Sequence, residues 1–289
     1  MNKRKYILGD EWLYIKIYTG AAYADNLLTK TLYPLMKKLI RLRHIDKWFF
    51  VRYSDEHGFH LRLRCHIFNK KSLIIILQSL YECLRNKIKN HLIHNLSYDT
   101  YNRELERYGV HCYDATESIF HLNSHTICAV LNHISTLDED NERERIKAAI
   151  LLIVGYINVL GLDREQELLF LKNNRDAFMN EFNLTNSEER FALDKKYRQH
   201  KYFIESILND NKMSYVERVA KHHNETFKLR FADIRGNILV DPNLYISTLI
   251  HMTINRMFIS SNREYELVIY YYLHKYYESQ LKRIKYNMR

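Results

Sequence analysis

Alternation marks the start of the chain. From Glu11 to Tyr18 large apolar residues alternate with polar ones in WLYIKIY until Thr19-Gly20, the two-residue period of a strand. Residues 23 to 43 change to three- and four-residue apolar spacing, with Lys and Arg gathered toward the C-terminal end. That predicts a helix, and Pro34 is its point of kinking. Alternation returns in Lys47 to Asp55 and Phe59 to Phe68, two strands joined as an antiparallel hairpin across His57-Gly58. Lys71 to Lys89 reads as a second helix, and Ser97 to Tyr108 as a fourth strand ending at Gly109. The order β-α-β-β-α-β predicts a ferredoxin-like sheet with helices packed on one face, leaving the other face for a partner or ligand.

Beyond Gly109 the spacing is helical, through Ala115 to Ile134, a charged run from Asp138, the apolar Ala148 to Leu162, Glu165 to Phe182 and Glu188 to Leu208. A last helical segment, Asp241 to Tyr286, starts with the Asp-Pro signal at Asp241-Pro242. Asn173-Asn174 and Asn209-Asp210-Asn211 read as turns. The expected fold class is α+β: a sheet-containing unit over 1–110 and a mainly helical part over 111–289, packed as one compact domain.

Composition narrows the chemistry. Of 289 residues 46% are hydrophobic, enough for a core, and 7 Gly with 2 Pro exclude collagen-like and linker-rich chains. The formal charge of +10 favours anionic partners. Four Cys without a C-x-x-C suit a reduced, cytoplasmic chain, and no metal is expected. Asp10 and Glu11 interrupt the basic N-terminus before a signal peptide's apolar segment forms. The stretch Ala148 to Leu162 is shorter than the ~20 residues of a membrane span. Without G-x-S-x-G, P-loop or G-x-G-x-x-G, a cofactor-free protein is expected.

Residues two apart on a strand share a face, so His60, Arg62 and Arg64 project together, opposite Leu61, Leu63 and Cys65. Such a face is either an anion site, because Arg grips carboxylate or phosphate in a fork, or a solvated surface. In the segment read as the fourth strand, Arg103 and Arg107 share a face with Leu105. Were that strand beside 59–68, Arg107 would join Arg62 or Arg64 around one anion; otherwise the charges pair across strands. His251 and Asn255 lie one helical turn apart with Arg256 beside them, and a His there is either a satisfied buried residue or a proton carrier.

Taken together, WLYIKIY, DKWFFVRYSDEHGFHLRLR, YNRELERYG and the late IHMTINRMF resemble the lantibiotic-dehydratase C-terminal family, also called thiopeptide-type bacteriocin biosynthesis domains. The resemblance spans nearly the whole chain. It implies elimination of glutamate from glutamylated Ser or Thr of a precursor peptide, giving dehydroalanine or dehydrobutyrine. It also implies that a separate, glutamyl-tRNA-dependent protein adds the glutamate, since 289 residues leave no space for that activity and the chain is expected to be a free-standing partner acting second. Carried over, the catalytic residues are Arg62, Arg64, Arg107 and His251, either of the first pair being primary. Arg52, His60, Arg103, Asn255 and Arg256, in or beside the same motifs, are the expected substrate-binding set. Two departures stand out: Gly109-Val110 where many relatives have a double Gly, and Asn123-Ser124 where an acidic residue commonly precedes Ser. The alternatives are a pyridine synthase joining two dehydroalanines by formal [4+2] cycloaddition with release of the leader, and a non-catalytic module binding leader peptide or RNA. Nucleic acid is not required directly by the first two, and a homodimer is possible.

Overall fold

A computed structural model describes residues 3–137, 141–184, 186–209, 213–238 and 240–287. Its sheet is built from β2 (Trp12–Thr19), β3 (Ile45–Asp55), β4 (Gly58–Ile67) and β5 (Ile93–Tyr98), antiparallel in the order β3-β4-β2-β5. This is the ferredoxin-like arrangement expected from the element order. Two short strands, β1 (Lys5–Tyr6) and β6 (Tyr101–Asn102), pair separately. The hairpin closes from Asp55 to Gly58, where φ is +109°, a conformation suited to glycine.

Leu61, Leu63, Cys65 and Ile67 bury one face of β4, and the Cys65 thiol touches the Met36 sulfur of the covering helix. That helix is α1 (Ala21–Leu27) continued as α2 (Tyr33–Arg41). Between them Leu28–Leu32 forms one π-helical turn just before Pro34, which has no N–H to give the turn beneath it. The helix α3 (Ser72–Lys89) packs behind β5.

The fourth strand needs correction. It ends at Tyr98 rather than running from Ser97 to Tyr108; the chain breaks at Asp99-Thr100, forms β6, and turns into the short helix α4 (Leu105–Tyr108). Leu105 and Tyr108, three apart, are helix-spaced, and the turn buries Tyr108. Arg107 is therefore not on a strand.

The rest is helical, as expected: α5 (Tyr113–Ile134), α6 (Asn141–Asn158), α7 (Arg164–Glu181), α8 (Ser187–Asn209), α9 (Tyr215–Ile234), α10 (Pro242–Met257) and α11 (Asn262–Asn287). Asn173-Asn174 is no turn but lies inside α7, where Asn174 donates to the Phe170 carbonyl. The start of the charged run, 138–140, and the turn residues 210–211 lie outside the described residues. Helix α9 has no counterpart in the periodicity reading, although Ser214 and Glu217 form a reciprocal capping box at its start. It packs closely on α6, where a Cβ on Gly155 would fall 2.1 Å from the Asn224 side chain.

Strand β3 is an outer strand whose free edge is finished by side chains instead of a fifth strand. His121 Nδ1 of α5 lies 3.4 Å from the Trp48 N and 3.1 Å from its carbonyl oxygen. The Phe50 N–H donates to Ser124 Oγ at 3.3 Å, and Arg256 Nε of α10 donates to the Phe50 carbonyl at 2.8 Å. Asn255 closes the series: its Oδ1 accepts from Arg52 N at 3.0 Å and its Nδ2 donates to the Arg52 carbonyl at 2.9 Å. These bonds meet the demand of buried backbone for partners and fix α5 and α10 against the sheet.

Candidate active site

The face of β4 turned away from the covering helix carries His60, Arg62 and Arg64, flanked in register by Tyr18, Lys16 and Tyr14 of β2 and by Tyr53, Val51 and Phe49 of β3. Arg62 Nε donates to His60 Nε2 at 3.2 Å while its guanidinium lies 3.4 Å from the centre of the Tyr53 ring. With Nε2 accepting, the His60 proton belongs on Nδ1, which faces the Gly58 carbonyl at 3.2 Å. Burial lowers the pKa of His60, so the neutral ring serves as an acceptor that aims Arg62. Arg64 sits among three rings, its guanidinium 4.4 Å from Tyr14, 5.0 Å from Tyr101 and 5.3 Å from Phe49. Its Nε is buried without a hydrogen-bond partner among the described residues.

Among the described residues neither Arg62 nor Arg64 has a carboxylate within ion-pair distance, whereas nearby Lys16 is taken by Asp99 at 2.7 Å. Two arginines held by rings and a neutral His, with no acid of their own, are prepared to receive a carboxylate from outside. The fork geometry and the partly dry setting both strengthen that pairing.

Other expected residues are placed differently. Arg52 points to the opposite face, almost fully buried: Nη2 pairs with Asp25 at 2.5 Å and Nε donates to the Arg256 carbonyl at 3.0 Å. Arg145 grips the same Asp25, and although burial opposes it, the two cations hold that carboxyl below its usual pKa. Arg103 spends its fork on buried Glu117 and on Asp114. Arg107 extends toward solvent and pairs with Glu104 at 3.1 Å; its described contacts include neither Arg62 nor Arg64, so they do not gather around one anion here. Asn255 and Arg256 seal the β3 edge. Arg256 is almost fully buried without a carboxylate partner among the described residues, and burial pulls its pKa down to about 10. Of the Asn123-Ser124 pair, Asn123 accepts from Arg256 Nη1 and Ser124 accepts from the β3 backbone.

His251, near the middle of α10, is partly exposed, and its Nδ1 lies 2.9 Å from buried Glu266 of α11. That carboxylate accepts a hydrogen bond from Nδ1–H, which orients the ring and leaves Nε2 outside this contact. Glu266 was not singled out from the sequence. Its signal was there: an acid directly abutting the apolar run LVIYYYL needs a buried partner.

The fold agrees with comparison to known proteins. Residues 12–277 match the family model for the C-terminal part of lantibiotic biosynthesis dehydratases, and the chain belongs to that family. It is 23% identical over 283 residues to the nisin biosynthesis protein NisB of Lactococcus lactis subsp. lactis, covering 97% of this chain but 27% of NisB. Its fold resembles that of MibB, the tRNA-dependent lantibiotic dehydratase of Microbispora sp. 107891, with a TM-score of 0.71 at 17% identity over 96% of this chain and 29% of MibB. TbtD, the pyridine synthase of thiomuracin biosynthesis, is similar with a TM-score of 0.67 at 11% identity, over 92% of this chain and 97% of TbtD. The chain thus spans less than a third of NisB and of MibB. No described helix is long and apolar enough to cross a membrane.

Proposed function

We propose that the chain eliminates glutamate from glutamylated Ser or Thr of a ribosomally made precursor peptide. The observation that carries this reading is the pair Arg62 and Arg64, presented on one face without an acid of their own among the described residues. Abstraction of the α-proton sends its electron pair into a Cα=Cβ double bond, and the Cβ–O bond breaks with glutamate leaving as the carboxylate. Arginine forks match both the departing carboxylate and the second carboxylate of glutamate, and they lower the barrier as negative charge develops. His251, oriented by Glu266, is the residue proposed to move a proton. Arg107, carried over from the family motif, is proposed as a peptide contact from its exposed helix. The glutamylated peptide comes from a glutamyl-tRNA-dependent activity that acts first.

A second reading, cycloaddition of two dehydroalanines, draws on the fold likeness to TbtD. Mass spectrometry separates them. Incubation with a synthetic peptide bearing a glutamyl-serine ester is expected to release glutamic acid, with rates falling by roughly 10² to 10³ in Arg64→Met and His251→Ala, the usual cost of losing a preorganised group. A bis-dehydroalanine peptide that cyclises while the ester survives would overturn elimination and establish the second reading.

A further inference from the structure

The side of the sheet unit remote from the arginine face holds another basic feature. Helices α2 and α3 diverge and leave a groove of about 570 Å³ between them, with Leu35 in its floor and Ile75 on its wall. Lys30, Lys38 and Lys87 line it. Pro34 and Lys38 also border a second hollow of about 380 Å³, lined in addition by Lys37 and Arg41, so the two form one track along α2. None of these five cations has a carboxylate within ion-pair distance among the described residues. Lys30 donates to the amide of Asn132, Lys37 lies over the Tyr33 ring, and Lys87 donates to the Cys83 carbonyl. The single acid on the track, Glu82, faces Arg85 at 3.6 Å. Along the outer rim, α3 exposes Ile74, Tyr81 and Ile88, seven residues apart on one helix face.

We propose that this groove docks an acidic amphipathic segment of the peptide on which the chain acts; calling that peptide the substrate rests on the proposed function, while the docking itself does not. Five uncompensated cations ask for carboxylates, and the apolar floor and rim ask for aliphatic side chains on the same ligand. A helix carrying Leu on one stripe and Glu beside it supplies both, in the helix-in-groove mode. Phosphate backbone would satisfy the cations and leave Ile74, Ile75 and Ile88 without a partner. The position, behind the sheet, separates holding the peptide from acting on it.

The test uses the full chain and a fluorescein-labelled peptide of about five helical turns, Leu at i, i+3, i+4 and i+7 with Glu between, against its scrambled isomer of equal charge. At about 0.1 M salt the amphipathic form is expected to bind at least roughly tenfold tighter than the scramble. The charge reversal K38E/R41E is expected to remove roughly tenfold or more of that affinity, with circular dichroism unchanged. Joined to a glutamyl-serine ester, the amphipathic segment is expected to lower KM in the wild type and not in the reversal, whose rate on the bare short ester stays at the wild-type value. Equal binding of both isomers, tighter binding of a single-stranded RNA oligomer, or indifference to the reversal overturns the proposal. So does sedimentation as a dimer that Tyr81→Arg dissociates without peptide binding appearing, because a second copy is then the occupant of the face. Binding without any loss of glutamate from the ester refutes the proposed function and leaves the docking site standing.

Discussion

Replacing Asn255 by Ala removes two bonds that finish the β3 edge, those to the N–H and the carbonyl of Arg52 at 3.0 and 2.9 Å. Each leaves a backbone group of an almost fully buried residue without its partner, and the cost of such a group is about 1–3 kcal/mol. The sum, about 2–6 kcal/mol, is a large share of a domain's stability and is measurable as a shift of the urea midpoint at constant m. The isosteric Asn255→Asp is more discriminating. It retains an acceptor for the Arg52 N–H but turns a second acceptor toward the Arg52 carbonyl, so near neutrality it is expected to cost about 1–3 kcal/mol. The new carboxyl gains a raised folded pKa from that carbonyl, and below the unfolded value of about 4 it is protonated in both states and can donate. The deficit relative to wild type, compared at each pH, therefore narrows as pH falls. Ser124→Ala, which loses one longer bond of 3.3 Å, is the control at about 1 kcal/mol or less. An Asn255→Ala protein within about 0.5 kcal/mol of wild type, or an Asp variant whose deficit is constant with pH, would refute the account of the edge.

Two further outcomes follow from the helical part. Burial holds His223 and His121 at a pKa of about 4, below the ordinary 6.5. Their neutral forms thus stabilise the fold fully above pH 6.5, and this contribution is lost as pH falls toward 4, by roughly 3 kcal/mol for each; a thermal midpoint flat from pH 7 to 4.5 would contradict it. At Gly155 an added methyl meets Asn224, whose amide is held by the Leu151 carbonyl and by His223, so it has little freedom to withdraw. Gly155→Ala is expected to destabilise by about 1–3 kcal/mol in chemical denaturation despite its gain in helix propensity, and a more stable variant would disprove the close approach of α6 and α9.

The hydrophobic period located most of this architecture because burial on one side of an element leaves an unmistakable spacing. It failed where two periods overlap. In Tyr101 to Tyr108 alternation also satisfies the three-residue step from Leu105 to Tyr108, and burial of Tyr108 chose the helix. It passed over α9, whose apolar stripe, Val216, Ala220, Phe227 and Phe231, is interrupted by His223, a buried histidine in an apolar position. The arginine face was legible because strand parity alone puts Arg62 and Arg64 together. Whether each arginine is free was not legible, because pairing depends on acids distant in sequence. Arg103 meets Glu117 fourteen positions on, while Arg52 meets Asp25 twenty-seven positions back.

The finished edge of β3 also has a consequence in time. Its closing groups, Asn255 and Arg256, come 203 and 206 residues after the backbone they bond. At synthesis rates of about 5–20 residues per second, a ribosome needs on the order of 10–40 s to deliver them. His121 and Ser124, 73 and 74 residues downstream, arrive much sooner and cover Trp48 and the Phe50 N–H first. Through the interval the Phe50 carbonyl and both backbone groups of Arg52 stand as an open strand template on the nascent chain. Delivery of Asn255 and Arg256, rather than pairing of the four strands, is what closes this edge.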